Sequence, residues 1–297
     1  HFRNHRSSVS EGKRRRRQRR NEREQQLNRD LSQLPEVRPL KPYVIHLINC
    51  FTSLVTLITL GDEVNLIHRF TIDTENDFPS NQPALIQIEC IDETKDETMI
   101  LIFEMAHLPR PDAPTYRSLR RLFHRLFRSS NRFYMWDNVK RDLFNFVQNN
   151  LFTVEMVESI ATFDVQHHFK RWYNNRFPHL ERCSAGMDRV EDDPSCDCSH
   201  RPYKSIDQKW SLQQAVAYTF HEFLDKQLRK SLWSNGLSEE SDWDYHKIIR
   251  NGQRTLAFDR RQQQREKLLK YAAFDCLSTT KLAKVVEEEW TRDQLQE

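Results

Sequence analysis

The chain lacks most features that mark a secreted or membrane-spanning protein. Only five of its 297 residues are glycine, and with 30% charged residues this favours a helix-rich soluble protein. Its six cysteines are scattered, so they do not resemble a disulfide framework, and a reducing compartment is favoured. The longest apolar stretch, residues 44–60, is interrupted by His46 and Asn49 and is barely long enough to cross a bilayer. We interpret it as a strand followed by a short helix.

Positive charge is concentrated at the N-terminus. Residues 1–30 contain eleven Lys and Arg against four Asp and Glu, whereas the remainder contains 35 against 39. The run Lys13–Arg20 cannot bury itself, so we expect residues 1–35 to be a disordered basic tail. The tail is either functional, as a nuclear localisation signal or a nucleic-acid contact, or simply a solvated charge run. We expect the protein to be nuclear or cytoplasmic, with the tail favouring the nucleus.

The remainder alternates between strand-like and helix-like patterns. Short apolar runs predict strands at residues 43–50, 68–75, 84–91, 98–105, 132–136 and 159–165. The second, third and fourth of these are separated by polar turns, which favours an antiparallel meander. Periodic apolar positions predict helices at residues 115–128, from 137, at 166–173, from 211 and from 262. Polar interruptions at about 174–209 and 234–260 are expected to be insertions.

The first insertion contains three cysteines and a histidine. Cys183, Cys196, Cys198 and His200 could form a zinc knuckle, but the Cys-x-Cys-x-His pattern lacks the usual two-residue spacing between cysteines. We therefore expect an irregular surface excursion that does not require zinc.

Five residues in three segments are candidates for a chemical site. Asp73 and Glu75 are two apart on a predicted strand, so their carboxylates face the same way and repel each other unless a cation lies between them. Hard, oxygen-ligated Mg²⁺ or Mn²⁺ suits such a pair. Asp142 lies in the helix predicted from residue 137, four residues after Asn138 and on the same face, and Tyr271 and Asp275 lie one turn apart on the last helix. Apolar neighbours explain that last helix by packing alone, but not a tyrosine and an aspartate on its buried side.

In this order, the segments resemble the 3′–5′ exonuclease superfamily with four acidic metal ligands, in its tyrosine-bearing branch. That branch contains ribonuclease D, the Werner-type exonucleases and the proofreading domain of family A DNA polymerases. The resemblance covers most of residues 40–297, and its motifs are Asp73-Thr74-Glu75, Asn138-Val139-Lys140-Arg141-Asp142 and Tyr271-Ala272-Ala273-Phe274-Asp275. The segment from Ser211 to Leu224-Asp225-Lys226 and Trp233-Ser234 also resembles the stretch that precedes the last motif in the family.

The resemblance implies an α/β, ribonuclease H-like fold with a mixed five-stranded sheet flanked by helices. It also implies two Mg²⁺ or Mn²⁺ ions about 4 Å apart, which hydrolyse phosphodiester bonds at the single-stranded 3′ end of DNA or RNA. Asp73 would bridge both ions. Glu75 and Asp275 would hold the ion that activates water, and Asp142 would help to hold the other. Tyr271 would orient the water by a hydrogen bond.

Two other functions remain open. The same fold could serve as a catalytically silent nucleic-acid-binding or scaffolding module. Alternatively, the basic tail could be the working part, as a tether to RNA or DNA. The complete set of Asp73, Glu75, Asp142, Asp275 and Tyr271 favours the enzyme.

Overall fold

A six-stranded mixed sheet forms the centre of the molecule. It is seen in a computed structural model that describes residues 3–184, 190–242 and 255–295, together with Tyr245. The strands are β1 (Tyr43–Ile48), β2 (Arg69–Asn76), β3 (Pro83–Cys90), β4 (Thr98–Glu104), β5 (Arg132–Met135) and β6 (Ala161–Asp164). Their spatial order is β1-β4-β3-β2-β5-β6. All six lie where apolar runs predict them.

Of these strands, β3 alone runs against the others. It pairs antiparallel with both β2 and β4, whereas all remaining pairs are parallel. The block β4-β3-β2-β5-β6 is therefore the mixed five-stranded sheet of the ribonuclease H-like fold, and the predicted meander is confirmed. The resemblance implies five strands, and β1, which the apolar run at residues 43–50 predicts, is added to them as a parallel edge strand from Tyr43 opposite Thr98 to Ile48 opposite Phe103.

Helices cover both faces of this sheet. One face packs mainly on α2 and α3, through side chains such as Leu60, Phe123 and Phe133. The other packs mainly on α6, α7 and α8, through side chains such as Val216 and Ala273. The helices are α1 (Arg3–Leu31), α2 (Leu54–Val64), α3 (Pro114–Leu126), α4 (Val139–Leu143), α5 (Val154–Ser159), α6 (Val165–Arg176), α7 (Leu212–Phe220) and α8 (Leu256–Glu287). No helix in the described part of the chain is apolar over a length that would cross a bilayer.

The N-terminal segment differs from the prediction of disorder. Arg3–Leu31 is helical, with side-chain pairs one turn apart such as Arg20 with Glu24 at 2.9 Å. The end of α1 also docks on the body of the protein. Asn28 is buried there, and its amide oxygen accepts hydrogen bonds from Gln213 Nε2 at 2.6 Å and from the backbone N–H of Lys226 at 2.9 Å. Composition predicts disorder because it does not register such polar, long-range contacts.

The first insertion is irregular wherever the structure describes it, and the second is irregular only in part. Between Arg176 and Leu212 the described residues form no helix or strand. The second insertion contains short 3-10 turns at Trp233–Asn235 and Glu239–Ser241, while residues 243–244 and 246–254 lie outside the described part. α8 begins at Leu256, somewhat earlier than the predicted start near Gln262, with Thr255 as its N-cap.

Candidate metal centre

Three carboxylates from β2 and α8 meet on one face of the sheet. Asp73 and Glu75 alternate with inward-facing Ile72 along β2, and α8 lies across β2 and β3 to bring Asp275 beside them. One carboxylate oxygen from each of Asp73, Glu75 and Asp275 lies within 4.8 Å of the others. We refer to these three residues as the carboxylate cluster.

Burial and mutual repulsion both act on the carboxylate cluster. Loss of solvation raises the pKa of Asp73 to about 7, with further increases from the charges of Asp275 and Asp142. Burial, then the charge of Asp73, raises the pKa of Glu75 well above its usual value. Burial also raises the pKa of Asp275. Three ionised carboxylates in this position therefore require a cation.

A cation of the protein itself also reaches the carboxylate cluster. The ammonium of Lys226 lies 2.5 Å from Asp275 Oδ1 and 5.0 Å from the ring centre of Tyr271. Lys226 follows the end of α7, where His221 adopts a left-handed conformation with φ of 53° and the buried Leu224 anchors the chain. The sequence resemblance includes this lysine without giving it a role, and nothing in its local spacing indicates that it pairs with Asp275.

Tyr271 lies one helical turn before Asp275, as predicted. Its ring packs near Trp233, with centroids 5.6 Å apart, and its buried hydroxyl lies beside Asp275, whose pKa it lowers by hydrogen bonding. Burial, followed by the charges of Asp275, Glu75 and Asp73, raises the pKa of Tyr271 well above its usual value. The hydroxyl therefore keeps its proton near neutral pH and is available as a donor.

Asp142 stands apart from the carboxylate cluster. It is exposed on α4, although its charge raises the pKa of Asp73. The structure thus brings together three of the four predicted ligands and places the fourth on a neighbouring helix. Just before α4, Asp137 has a φ of 70° and accepts a 2.7 Å hydrogen bond from Lys209, while Asn138 takes the N-cap position.

The chemistry of the donor set fits a hard divalent cation. Carboxylate oxygens are the ligands that Mg²⁺ and Mn²⁺ prefer, and the cluster supplies three of them from two rigid elements. Gln87, the register partner of Asp73 on β3, places a buried amide on the same face of the sheet. Neither polar atom of that amide has a hydrogen-bond partner among the described residues. Asp73, Glu75 and Asp275 are accordingly the residues that would hold a metal.

The cysteines of the first insertion are also brought together. Cys183, Cys196 and Cys198 lie side by side and buried, but their histidine neighbour is His179. His200, the histidine of the Cys-x-Cys-x-His pattern, instead contacts the carbonyl of Pro178 at 2.9 Å. The expected surface excursion is irregular but has a buried interior of its own.

Fold and site together define a mixed α/β domain with buried carboxylates on its central strand. Solved structures similar to it include the EXO domain of Aedes aegypti Nibbler, with a TM-score of 0.47 and 14% identity over 88% of this chain and 98% of that domain. Escherichia coli RNase D, an exoribonuclease involved in structured RNA processing, gives a TM-score of 0.42 and 15% identity over 83% of this chain and 45% of the other. Trypanosoma brucei RNase D gives a TM-score of 0.43 and 14% identity over 83% of this chain and 65% of the other.

The chain therefore spans less than two thirds of either RNase D chain. No protein-family model and no curated protein sequence matches the chain.

Proposed function

We propose that this protein is a metal-dependent 3′–5′ exonuclease that releases 5′-mononucleotides from the ends of nucleic acid. The observation that supports this most directly is the carboxylate cluster, in which Asp73, Glu75 and Asp275 meet within 4.8 Å in a buried setting. The motif resemblance leads to the same residues independently of their positions in space.

The cluster would bind Mg²⁺ or Mn²⁺. Bound there, two divalent ions would supply hydroxide near neutral pH and offset charge on the phosphate and the leaving oxygen. Asp73 links the carboxylate cluster to Asp142, because Asp73 lies in the cluster and the charge of Asp142 also raises its pKa. Asp142 would therefore extend the ligand set on the exposed side, where a nucleic-acid end has access.

Tyr271 and Lys226 would act around the ligands rather than as ligands. The buried Tyr271 hydroxyl beside Asp275 can donate one hydrogen bond, which would aim the attacking water toward the phosphate. Lys226 holds Asp275 with a 2.5 Å ion pair and thereby stabilises a charged carboxylate before metal binds. It is also a cation that a nucleic-acid phosphate can contact.

The rival function is a silent nucleic-acid-binding module on the same fold. Two observations favour it: Lys226 already pairs with Asp275, and Asp142 lies outside the carboxylate cluster. The two functions differ in one respect, because only the enzyme shortens its ligand.

The test uses single-stranded RNA and DNA labelled at either the 5′ or the 3′ end. We expect 5′-labelled strands to shorten one nucleotide at a time in Mg²⁺ or Mn²⁺, and 3′-labelled strands to release their label at once as a 5′-mononucleotide. EDTA should stop both. Binding without shortening in either metal would identify the silent module, and comparison of the two sugars would show which nucleic acid is preferred.

A further inference from the structure

The three buried thiols of the first insertion form a core of their own. This core is too small for hydrophobic burial alone to hold the insertion in a fixed structure. Cys183, Cys196 and Cys198 make a cluster separate from the two large cores of the sheet, and among the described residues no other buried hydrophobic side chain joins it. Cys198 is only 1% exposed although the surrounding loop is polar. Small folded units of this kind are usually held by disulfides or a metal. None of these cysteines forms a disulfide.

The distances within this group match those of a tetrahedral metal site. One ligand atom each from His179, Cys183, Cys196 and Cys198 lies within 4.8 Å of the others, and all four residues are buried. His179 Nδ1 is 3.5 Å from Cys183 Sγ and 3.9 Å from Cys198 Sγ. With Zn–S of about 2.3 Å and Zn–N of about 2.0 Å, tetrahedral geometry places ligand nitrogen and sulfur atoms about 3.5 Å apart.

The tautomer of His179 is set by its second ring nitrogen. Nε2 lies 3.0 Å from the carbonyl oxygen of Glu191, which can only accept a hydrogen bond. Nε2 therefore carries the proton, and the lone pair of Nδ1 faces the sulfur atoms. Metal-bound histidines typically donate their other N–H in this way. His200 makes its contact with Pro178 instead, so the two histidines of the insertion are not equivalent.

Two hydrogen-bond donors lie beside the sulfur atoms. The backbone N–H of Leu180 donates to Cys198 Sγ at 3.3 Å. The ammonium of Lys204 lies 3.5 Å from Cys196 Sγ and donates to the carbonyl of Cys198 at 2.9 Å. Three thiolates and Zn²⁺ carry a net charge of minus one, which Lys204 offsets.

We propose that His179, Cys183, Cys196 and Cys198 bind one structural Zn²⁺ ion. The soft Cys₃His donor set selects zinc over Mg²⁺ or Ca²⁺, and four protein ligands leave no open coordination position for chemistry. The sequence expectation that zinc is not needed took His200 as the fourth ligand. Sequence reasoning missed His179 because it looked for the histidine in the Cys-x-Cys-x-His pattern at residues 196–200. The fourth ligand instead pairs with Cys183, in a His-x₃-Cys segment.

The zinc site would fix the insertion against α6. Asp192, between the second and third ligands in sequence, is 2% exposed and lies 2.8 Å from Lys170 and 3.3 Å from Arg201. Asn174 donates to the same carboxylate at 3.2 Å. The metal would therefore close a loop whose middle is already attached to the domain. This role does not depend on the nuclease activity proposed above.

The first test is metal content of the full chain purified without added metal. We expect about one zinc per chain, and after exchange with Co²⁺ a thiolate-to-cobalt charge-transfer band together with tetrahedral d–d bands. Cys198→Ser and His179→Ala should each lose the zinc and the bands. The matched controls His200→Ala and Cys50→Ser should keep both, because His200 contacts Pro178 and Cys50 is exposed outside the site.

Three results would overturn the proposal. One is wild-type protein without zinc that also shows no cobalt–thiolate band. The second is a mass two hydrogens too low, which would reveal a disulfide among the three cysteines. The third is zinc that survives in Cys198→Ser but disappears in Asp73→Asn, which would assign it to the carboxylate cluster. If Cys198→Ser does not fold, the cobalt spectrum of the wild-type protein decides the matter by itself.

Discussion

Tyr271 presents a buried hydroxyl beside Asp275, and hydrogen bonding from this hydroxyl lowers the pKa of that carboxyl. A hydrogen bond to a charged group contributes on the order of 1–3 kcal/mol. The hydroxyl is therefore placed to act on the carboxylate cluster and on anything bound there. The residue is best explained by function rather than by packing.

Tyr271→Phe should accordingly separate activity from stability. We expect cleavage to slow on the order of 10²-fold because the water is no longer aimed, with metal binding retained and the free energy of unfolding lowered by about 1 kcal/mol, as for Tyr116→Phe. Tyr116→Phe is the matched control, since the Tyr116 hydroxyl donates to the carbonyl of Asn149. It should lower the free energy of unfolding by about 1 kcal/mol and leave cleavage unchanged. Equal cleavage rates for Tyr271→Phe and the wild type would remove Tyr271 from the mechanism.

Glu89 on β3 gives stability a pH dependence that is separate from the carboxylate cluster. Burial raises the pKa of Glu89 from 4.5 to about 7, against the opposing hydrogen bonds from Thr280 and Thr98. The folded state therefore binds this proton more tightly than the unfolded state does. The associated stabilisation is present below pH 4.5 and is lost as pH rises toward about 7.

Glu89→Gln should remove that dependence. In EDTA, the free energy of unfolding of the variant should exceed that of the wild type by on the order of 3 kcal/mol at about pH 8, and the difference should shrink toward about pH 5. Chemical denaturation across this range measures it, with the exposed Glu97→Gln as control. A constant difference at all pH values would contradict the raised pKa.

Among the elements, α1 differs most from what the sequence predicts. Its last turns reach the segment that carries Lys226: Glu24 pairs with Arg229 at 2.7 Å and with Lys230 at 3.2 Å. Asn28 binds the backbone of Lys226 itself. α1 therefore supports the loop that brings a cation to Asp275.

Asn28→Ala should disturb both the docking of α1 and the site. The substitution removes three hydrogen bonds of a buried amide, so we expect stability to fall by about 1–3 kcal/mol and cleavage to slow, because Lys226 is no longer fixed. Gln25→Ala, at an exposed position on the same helix, is the control. Unchanged stability of Asn28→Ala in thermal denaturation would mean that α1 does not dock in solution.

Elements with strong local signals could be predicted from sequence, and contacts between distant segments could not. The β-branched runs of β2 to β4 appear where their local chemistry predicts them, and so does the start of α7, where the Ser211 side chain accepts from the backbone N–H of Gln214. The pairing of Lys226 with Asp275 and the packing of His179 against three cysteines join residues far apart in sequence or without a familiar spacing. No local pattern encodes either contact.

The whole molecule separates a basic arm from a mildly acidic body. Nine of the Lys and Arg residues precede Asn21, and the described arginines of this arm, such as Arg14 and Arg19, are exposed on α1. Asn21 accepts a hydrogen bond from Lys230 and so belongs to the part of α1 that docks on the body of the protein. The arm is thus suited to non-specific contact with phosphates, while the end of α1 is structural.

Deleting residues 1–20 should therefore weaken nucleic-acid binding at low salt without changing turnover at saturating substrate. On a single strand, the slope of log affinity against log salt should flatten by about 0.7 for each phosphate that the arm no longer neutralises. Fluorescence anisotropy over a salt series measures this. An unchanged slope would show that the arm does not contact nucleic acid and is a nuclear localisation signal or a solvated charge run.

The central claim is that the carboxylate cluster is a metal-dependent catalytic site, and cleavage by Asp73→Asn tests it most directly. Neutralising one of three crowded carboxylates relieves repulsion, so the variant should fold and its metal-free form should melt no lower than the wild type. Its cleavage of a 5′-labelled single strand in Mg²⁺ should nevertheless be abolished. An Asp73→Asn protein that shortens the strand at the wild-type rate, free of contaminating nuclease, would contradict the account.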